Sequence, residues 1–306
     1  MPTTDQTPTR AVAPAAADGA AERWVRWPAV ALFVALAYGL AWLVAAPLWR
    51  DGGLTNPLFA PIGLAMMATP AVAALVVTFV VVRPAHPARF LGLAPLRPVR
   101  RLVGFLALGM VAPPLLCLAA ALLAAAAGAT DLTIADGATT LLLLLPLQSL
   151  LVAVAAMGEE LGWRGYLLPA LRPLGTWPAL VISGAVWGAW HAPLILLGYN
   201  FGRPELGGVL LMTGFSVLVG VLIGWVRMRS GSLWPCAVAH GATNASVAAV
   251  VLVFTSDPSS LSASLLGWYG WVVLAAAIAV PALLGGFRWA STHPGAGARG
   301  AQGAGR

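Results

Sequence analysis

Eight apolar runs limit what this chain can fold into. They cover residues 28–48, 58–82, 102–127, 139–157, 177–197, 208–226, 233–254 and 265–284. Each is close to the roughly 20 residues an α-helix needs to cross a bilayer core. Backbone N–H and C=O groups in hydrocarbon must pair within the segment, so each run is expected to be helical. Composition agrees: of 306 residues, 60% are hydrophobic and 9% charged. A soluble domain of this size does not use so much apolar surface. The expected fold class is therefore all-α, a polytopic membrane protein built as a bundle of eight transmembrane helices.

Arginine sets the orientation. The 17 basic residues are all Arg and outnumber the 10 acidic ones, for a net charge of +7. With the N-terminus inside and eight crossings, 15 arginines fall on the cytoplasmic side. Only Arg50 and Arg203 fall outside. This follows the positive-inside rule and places both termini in the cytoplasm. The positive charge thus reads as topology, not as a nucleic-acid surface. Trp27, Trp49, Trp177, Trp225 and Trp234 border the runs as interfacial aromatics do.

Residues 1–23, rich in Ala, Thr, Pro and Asp, are expected to be a disordered tail. They lack the form of a secretory signal peptide. Residues 24–290 form the membrane domain, and the Gly/Ala-rich stretch 291–306 is a second disordered tail. Cys117 and Cys236 lie in apolar runs and read as small packed hydrophobes. The bias toward Ala, Gly, Pro and Arg suggests a GC-rich bacterial genome, hence a bacterial plasma membrane.

Against this background, ionisable groups within the runs are functional candidates. Glu159 and Glu160 are adjacent, and Arg164 follows. On a helix Glu160 and Arg164 share a face. Glu159 points roughly 100° away and is left free by that pairing. His191 lies in the fifth run, four residues after Trp187. His240 lies in the seventh, with Asn244 four residues on and on the same face. His86 and His293 lie outside the runs and read as solvated. Polar groups on three helices must find one another where water is scarce. The pairs Gly158/Gly162, Gly184/Gly188 and Gly220/Gly224 permit close helix contact. Depth matches only if the fourth helix runs on to about Leu168, submerging Glu159 by roughly 14 Å.

A carboxylate and an imidazole facing one cavity can activate water. A second histidine and an amide can donate to an oxyanion. The same donors, Glu159, His191, His240 and Asn244, can instead hold one divalent metal such as zinc. No HExxH or GxSxG pattern is present, and no Ser or Cys stands as an obvious nucleophile.

The three patterns Glu159-Glu160-x-x-x-Arg164, Trp187-x-x-x-His191 and His240-x-x-x-Asn244 resemble those of the CAAX-processing and bacteriocin-processing membrane proteases. This family, also called CPBP or Abi, includes the type II CAAX prenyl endopeptidases. The resemblance covers 141–254. It implies that Glu159 and His191 act on water, that His240 and Asn244 are the oxyanion-side pair, and that Glu160 and Arg164 support them. The second pattern often begins with Phe where this chain has Trp187. A metal-dependent and a metal-free glutamate mechanism are equally open.

Three functions compete. The first is an intramembrane endopeptidase cutting peptides or lipidated peptides near the cytosolic face. The second is a non-catalytic scaffold or bacteriocin-immunity-type protein that sequesters a membrane peptide. The third is a transporter, which the lack of repeat halves disfavours. The intact Glu/His/His/Asn set favours the first, since sequestration does not require all four. The expected partners are the lipid bilayer and a peptide substrate.

Overall fold

A computed structural model describes residues 25–254 and 264–289. The expected tails, 1–23 and 291–306, lie outside the described residues. The regular elements are helices: α1 (Trp27–Arg50), α2 (Phe59–Met67), α3 (Thr69–Val76), α4 (Pro87–Phe90), α5 (Val99–Ala126) and α6 (Ala138–Glu160). They continue as α7 (Leu168–Ala170), α8 (Thr176–Trp190), α9 (Ala192–Ile195), α10 (Leu206–Ser230), α11 (Trp234–Phe254) and α12 (Trp268–Leu283). Every expected apolar run contains a helix. Among the described residues, five stretches are long and apolar enough to cross a membrane: Trp27–Arg50, Phe59–Val82, Val99–Ala126, Ala138–Ala170 and Leu206–Ser230. The outer surface is apolar too. Leu143, Val154 and Leu283 are among many large hydrophobic side chains left exposed, as the lipid-facing side of an integral membrane protein requires.

Helix α11 packs between α5 and α6, while α8 packs along α10. Glycine makes both crossings close. A Cβ on Gly241 would stand 2.6 Å from the Ser149 carbonyl oxygen, and one on Gly184 would stand 2.8 Å from the Val217 Cα. Gly158 and Gly162 face the joint between α2 and α3, where added Cβ atoms would meet the Met67 and Pro70 carbonyl oxygens at 2.7 and 2.9 Å. That joint arises because Pro70 cannot donate and disfavours helical backbone just before it. The expected small-residue pairs are thus contact surfaces: Gly184/Gly188 and Gly220/Gly224 line the two sides of the α8–α10 crossing, and Gly158/Gly162 face the α2–α3 joint. Cys117 and Cys236 are buried free thiols. Trp27, Trp49, Trp177 and Trp234 are exposed. Trp225, by contrast, is half-buried, and its indole N–H donates to the Gly286 carbonyl at 3.1 Å.

Candidate active site

Helix α6 does not stop at Glu160. Residues Leu161–Leu167 continue it in π-helical turns, all seven of them buried, before α7. The fourth run therefore stays helical through Ala170, in keeping with the expected extension. The widened turns are an addition; such insertions concentrate at functional sites. Within them the Leu168 N–H bonds the Trp163 carbonyl, five residues back. The next donor in that register would be Pro169, which has no N–H. The Arg164 carbonyl instead accepts from Arg227 Nε at 3.1 Å. Arg227 is buried beneath Gly92, where φ is +78° and a Cβ would stand 2.5 Å from Nη2.

Glu160, Arg164 and His240 form a buried cluster. Glu160 Oε1 accepts from Arg164 Nη1 at 2.7 Å and from His240 Nδ1 at 2.9 Å. With Glu160 Oε1 accepting from both partners, His240 Nδ1 carries a proton and Nε2 is its second nitrogen. Glu160 Oε2 has no hydrogen-bond partner among the described residues. The Arg164 guanidinium lies over the Trp187 ring, 4.3 Å from its centroid. Gly220 makes room for it, since a Cβ there would stand 3.3 Å from Nη2.

Glu159 faces the other way and is 2% exposed. Its Oε2 accepts from Trp187 Nε1 at 2.7 Å, and its Oε1 has no hydrogen bond among the described residues. His191 sits where α8 ends. Pro193 cannot continue the helix, and the last turn tightens so that the His191 N–H bonds Gly188 instead of Trp187. The freed Trp187 carbonyl takes the His191 side chain, Nδ1 to O at 3.0 Å. A carbonyl only accepts, so Nδ1 carries the proton and Nε2 keeps its lone pair. His191 is half-buried and packs edge-on to Trp190 at 4.8 Å. Tyr199, on the loop beyond α9, packs on Phe59 with centroids 5.5 Å apart. Burial and, secondarily, the Glu159 charge hold its phenol above the usual pKa.

The structure brings Glu159, Glu160, Arg164, Trp187, His191 and His240 together, and three sequence expectations change. Glu159 is not left free, because Trp187 holds one of its oxygens. Trp187 is thus a hydrogen-bond donor as well as an aromatic packing group. His240 bonds Glu160 through Nδ1. Asn244 lies one turn further along α11 with its side chain exposed and no hydrogen bond among the described residues. Arg227 was read as a charge at the inner end of its span, yet it is buried under the site. Its sequence signal is the Arg164-to-Pro169 spacing, recognisable only once the turn is known to be π-helical. As for metal, no three His, Cys, Asp or Glu side chains among the described residues stand close enough to share an ion. A cavity of about 620 Å³ lies away from these groups, between the starts of α10 and α12.

These features define an integral membrane protein whose helices enclose an ionisable site of two carboxylates, two imidazoles and an arginine. Residues 139–246 match the family described as type II CAAX prenyl endopeptidase Rce1-like. That stretch contains all seven residues of the three patterns. Over 86 residues the chain is 29% identical to CAAX prenyl protease 2 of Methanococcus maripaludis, covering 26% of this chain and 31% of that protein. The matching stretch thus spans about a third of the relative's length.

Proposed function

We propose that this protein is an intramembrane endopeptidase of the CAAX-prenyl-protease type, hydrolysing peptide bonds with water activated by Glu159 and His191. The observation that carries this reading is the separation of the two adjacent glutamates into different environments. Glu160 is neutralised by Arg164 and His240, whereas Glu159 is held through one oxygen and keeps the other. Two carboxylates set apart in this way can take different roles.

In this reading a water lies between Glu159 Oε1 and His191 Nε2. Glu159 takes a proton as the water oxygen bonds to the peptide carbonyl carbon. The carbonyl oxygen becomes an oxyanion. His240 donates to it through Nε2, with its Nδ1 held on Glu160. Asn244, exposed one turn along, adds an amide donor. Glu159 then gives its proton to the leaving nitrogen as the C–N bond breaks, yielding an amine and a carboxylic acid that loses its proton to solvent. No step is routed through a metal.

Eight crossings with both termini cytoplasmic complete the reading, in a bacterial plasma membrane, with a peptide or lipidated peptide as substrate. The test is cleavage of a fluorogenic prenylated peptide ending in a CAAX box, and of its unprenylated form, by the purified protein and its Glu159→Gln variant. Turnover by wild type alone supports the proposal. Tight binding without cleavage by either protein would favour the sequestering scaffold.

A further inference from the structure

We infer that Trp187 is the positioning residue that sets Glu159 and His191 against each other, through two different atoms. Its indole N–H donates to Glu159 Oε2 at 2.7 Å, and its backbone carbonyl accepts from His191 Nδ1 at 3.0 Å. One residue thereby orients both groups that face the water. The inference rests on the hydrolytic reading of Glu159 and His191.

Three observations favour this over simple packing. The indole N–H is 3% exposed with its residue and has a carboxylate as partner, which makes it a charge-assisted bond and a strong one. The Arg164 guanidinium over the ring, 4.3 Å from its centroid, draws electron density from the indole and makes its N–H a better donor. Arg164 is itself fixed by Glu160 at 2.7 Å. Glu160 and Arg164 therefore act on Glu159 through Trp187, without touching it. The carbonyl arm is equally specific. It exists because the helix tightens ahead of Pro193 and releases the Trp187 carbonyl from its usual backbone donor.

The indole arm can be removed alone. Replacing Trp187 by 3-benzothienylalanine, an indole isostere with sulfur in place of N–H, keeps the ring and its contact with Arg164. Trp187→Phe is the natural-residue counterpart. With the prenylated CAAX peptide as probe, kcat is expected to fall roughly 10- to 100-fold, the loss expected for one charge-assisted hydrogen bond. KM should stay within about twofold, since substrate contacts are untouched. A packing role would instead lower thermal stability and leave the turnover of folded protein intact. A second readout does not require turnover. In protein labelled with ¹⁵N-tryptophan in detergent micelles, the Trp187 indole N–H signal, assigned by its loss in Trp187→Phe, should move upfield in Glu159→Ala. If that signal does not move, or if the isostere keeps wild-type kcat, the inference is overturned. If the signal moves but wild type cleaves neither peptide, the Trp187–Glu159 bond stands and the protease reading falls instead.

Discussion

Arg227 Nε and the Arg164 carbonyl, 63 residues apart in sequence, are joined by a hydrogen bond of 3.1 Å. The bond replaces a donor that Pro169 lacks, and it fixes the turn that carries Arg164 to Glu160. Arg227→Ala would leave that buried carbonyl unpaired, at a cost of roughly 1–3 kcal/mol. Thermal unfolding in detergent should show a lower midpoint. Gly92→Ala should act in the same direction, because its Cβ would overlap the guanidinium and its φ of +78° suits glycine. An unchanged midpoint for both variants would show that the π turn stands without Arg227.

Arg164→Ala removes the guanidinium that pairs with a fully buried carboxylate. Breaking a truly buried pair destabilises by roughly 3–5 kcal/mol. His240 remains at 2.9 Å to share the charge, so the lower end is expected. Abundance and activity should both fall. Glu160→Gln should be milder, because it removes the charge but leaves an amide that can still bond. If Arg164→Ala accumulates and melts like wild type, the cluster contributes little to stability.

Part of the site was legible in the sequence. Glu160 and Arg164 are four residues apart, and one helical turn brings them into contact whatever surrounds them. The extension of the fourth helix was legible for a similar local reason, since 161–171 is apolar apart from Arg164 and Arg172 lies only just beyond. The bond between His240 and Glu160 was not. Both His240 and Asn244 lie on one face of α11, but which of them meets Glu160 depends on the height at which α11 crosses α6. That height is set by Gly241 pressing against Ala153 and Ser149, a contact with no local signature. The indole bond to Glu159 was missed because an aromatic residue beside a histidine reads first as packing. Its polar end becomes informative only when a buried acceptor is known to face it.

Metal dependence turns on whether further ligands join the two imidazoles, each of which keeps Nε2 unengaged. Each is tied through Nδ1, His191 to a backbone carbonyl and His240 to Glu160. Among the described residues no carboxylate or thiol joins them closely enough to share an ion. Turnover is expected to survive treatment with EDTA or 1,10-phenanthroline. Loss of activity that returns on adding zinc would mean that Glu159, His191 and His240 move together on metal binding.

The arginine distribution makes a separate, topological prediction. Reporter fusions after Arg100 and after Asp131 should report opposite sides of the membrane, with Arg100 inside. The two positions flank α5, a stretch long and apolar enough to cross. Matching signals from both would break the eight-span arrangement and the assignment of 15 arginines to the cytoplasm.

The sharpest test of the chemistry separates Glu159 from its neighbour. Glu159→Gln keeps the shape of the side chain and an acceptor oxygen for the Trp187 N–H, yet it cannot take a proton from water. It should therefore fold and melt like wild type while losing turnover. His191→Ala should also be inactive, because its Nε2 lone pair is lost; with the ring half-buried, the stability change should be modest. If both groups act on one water, their losses should not add: the double variant should be no slower than the worse single one. Rates for the three variants, with melting temperatures measured alongside, decide the matter. Fully additive losses would mean that Glu159 and His191 act in different steps, and near-wild-type turnover by folded Glu159→Gln would remove it as the base.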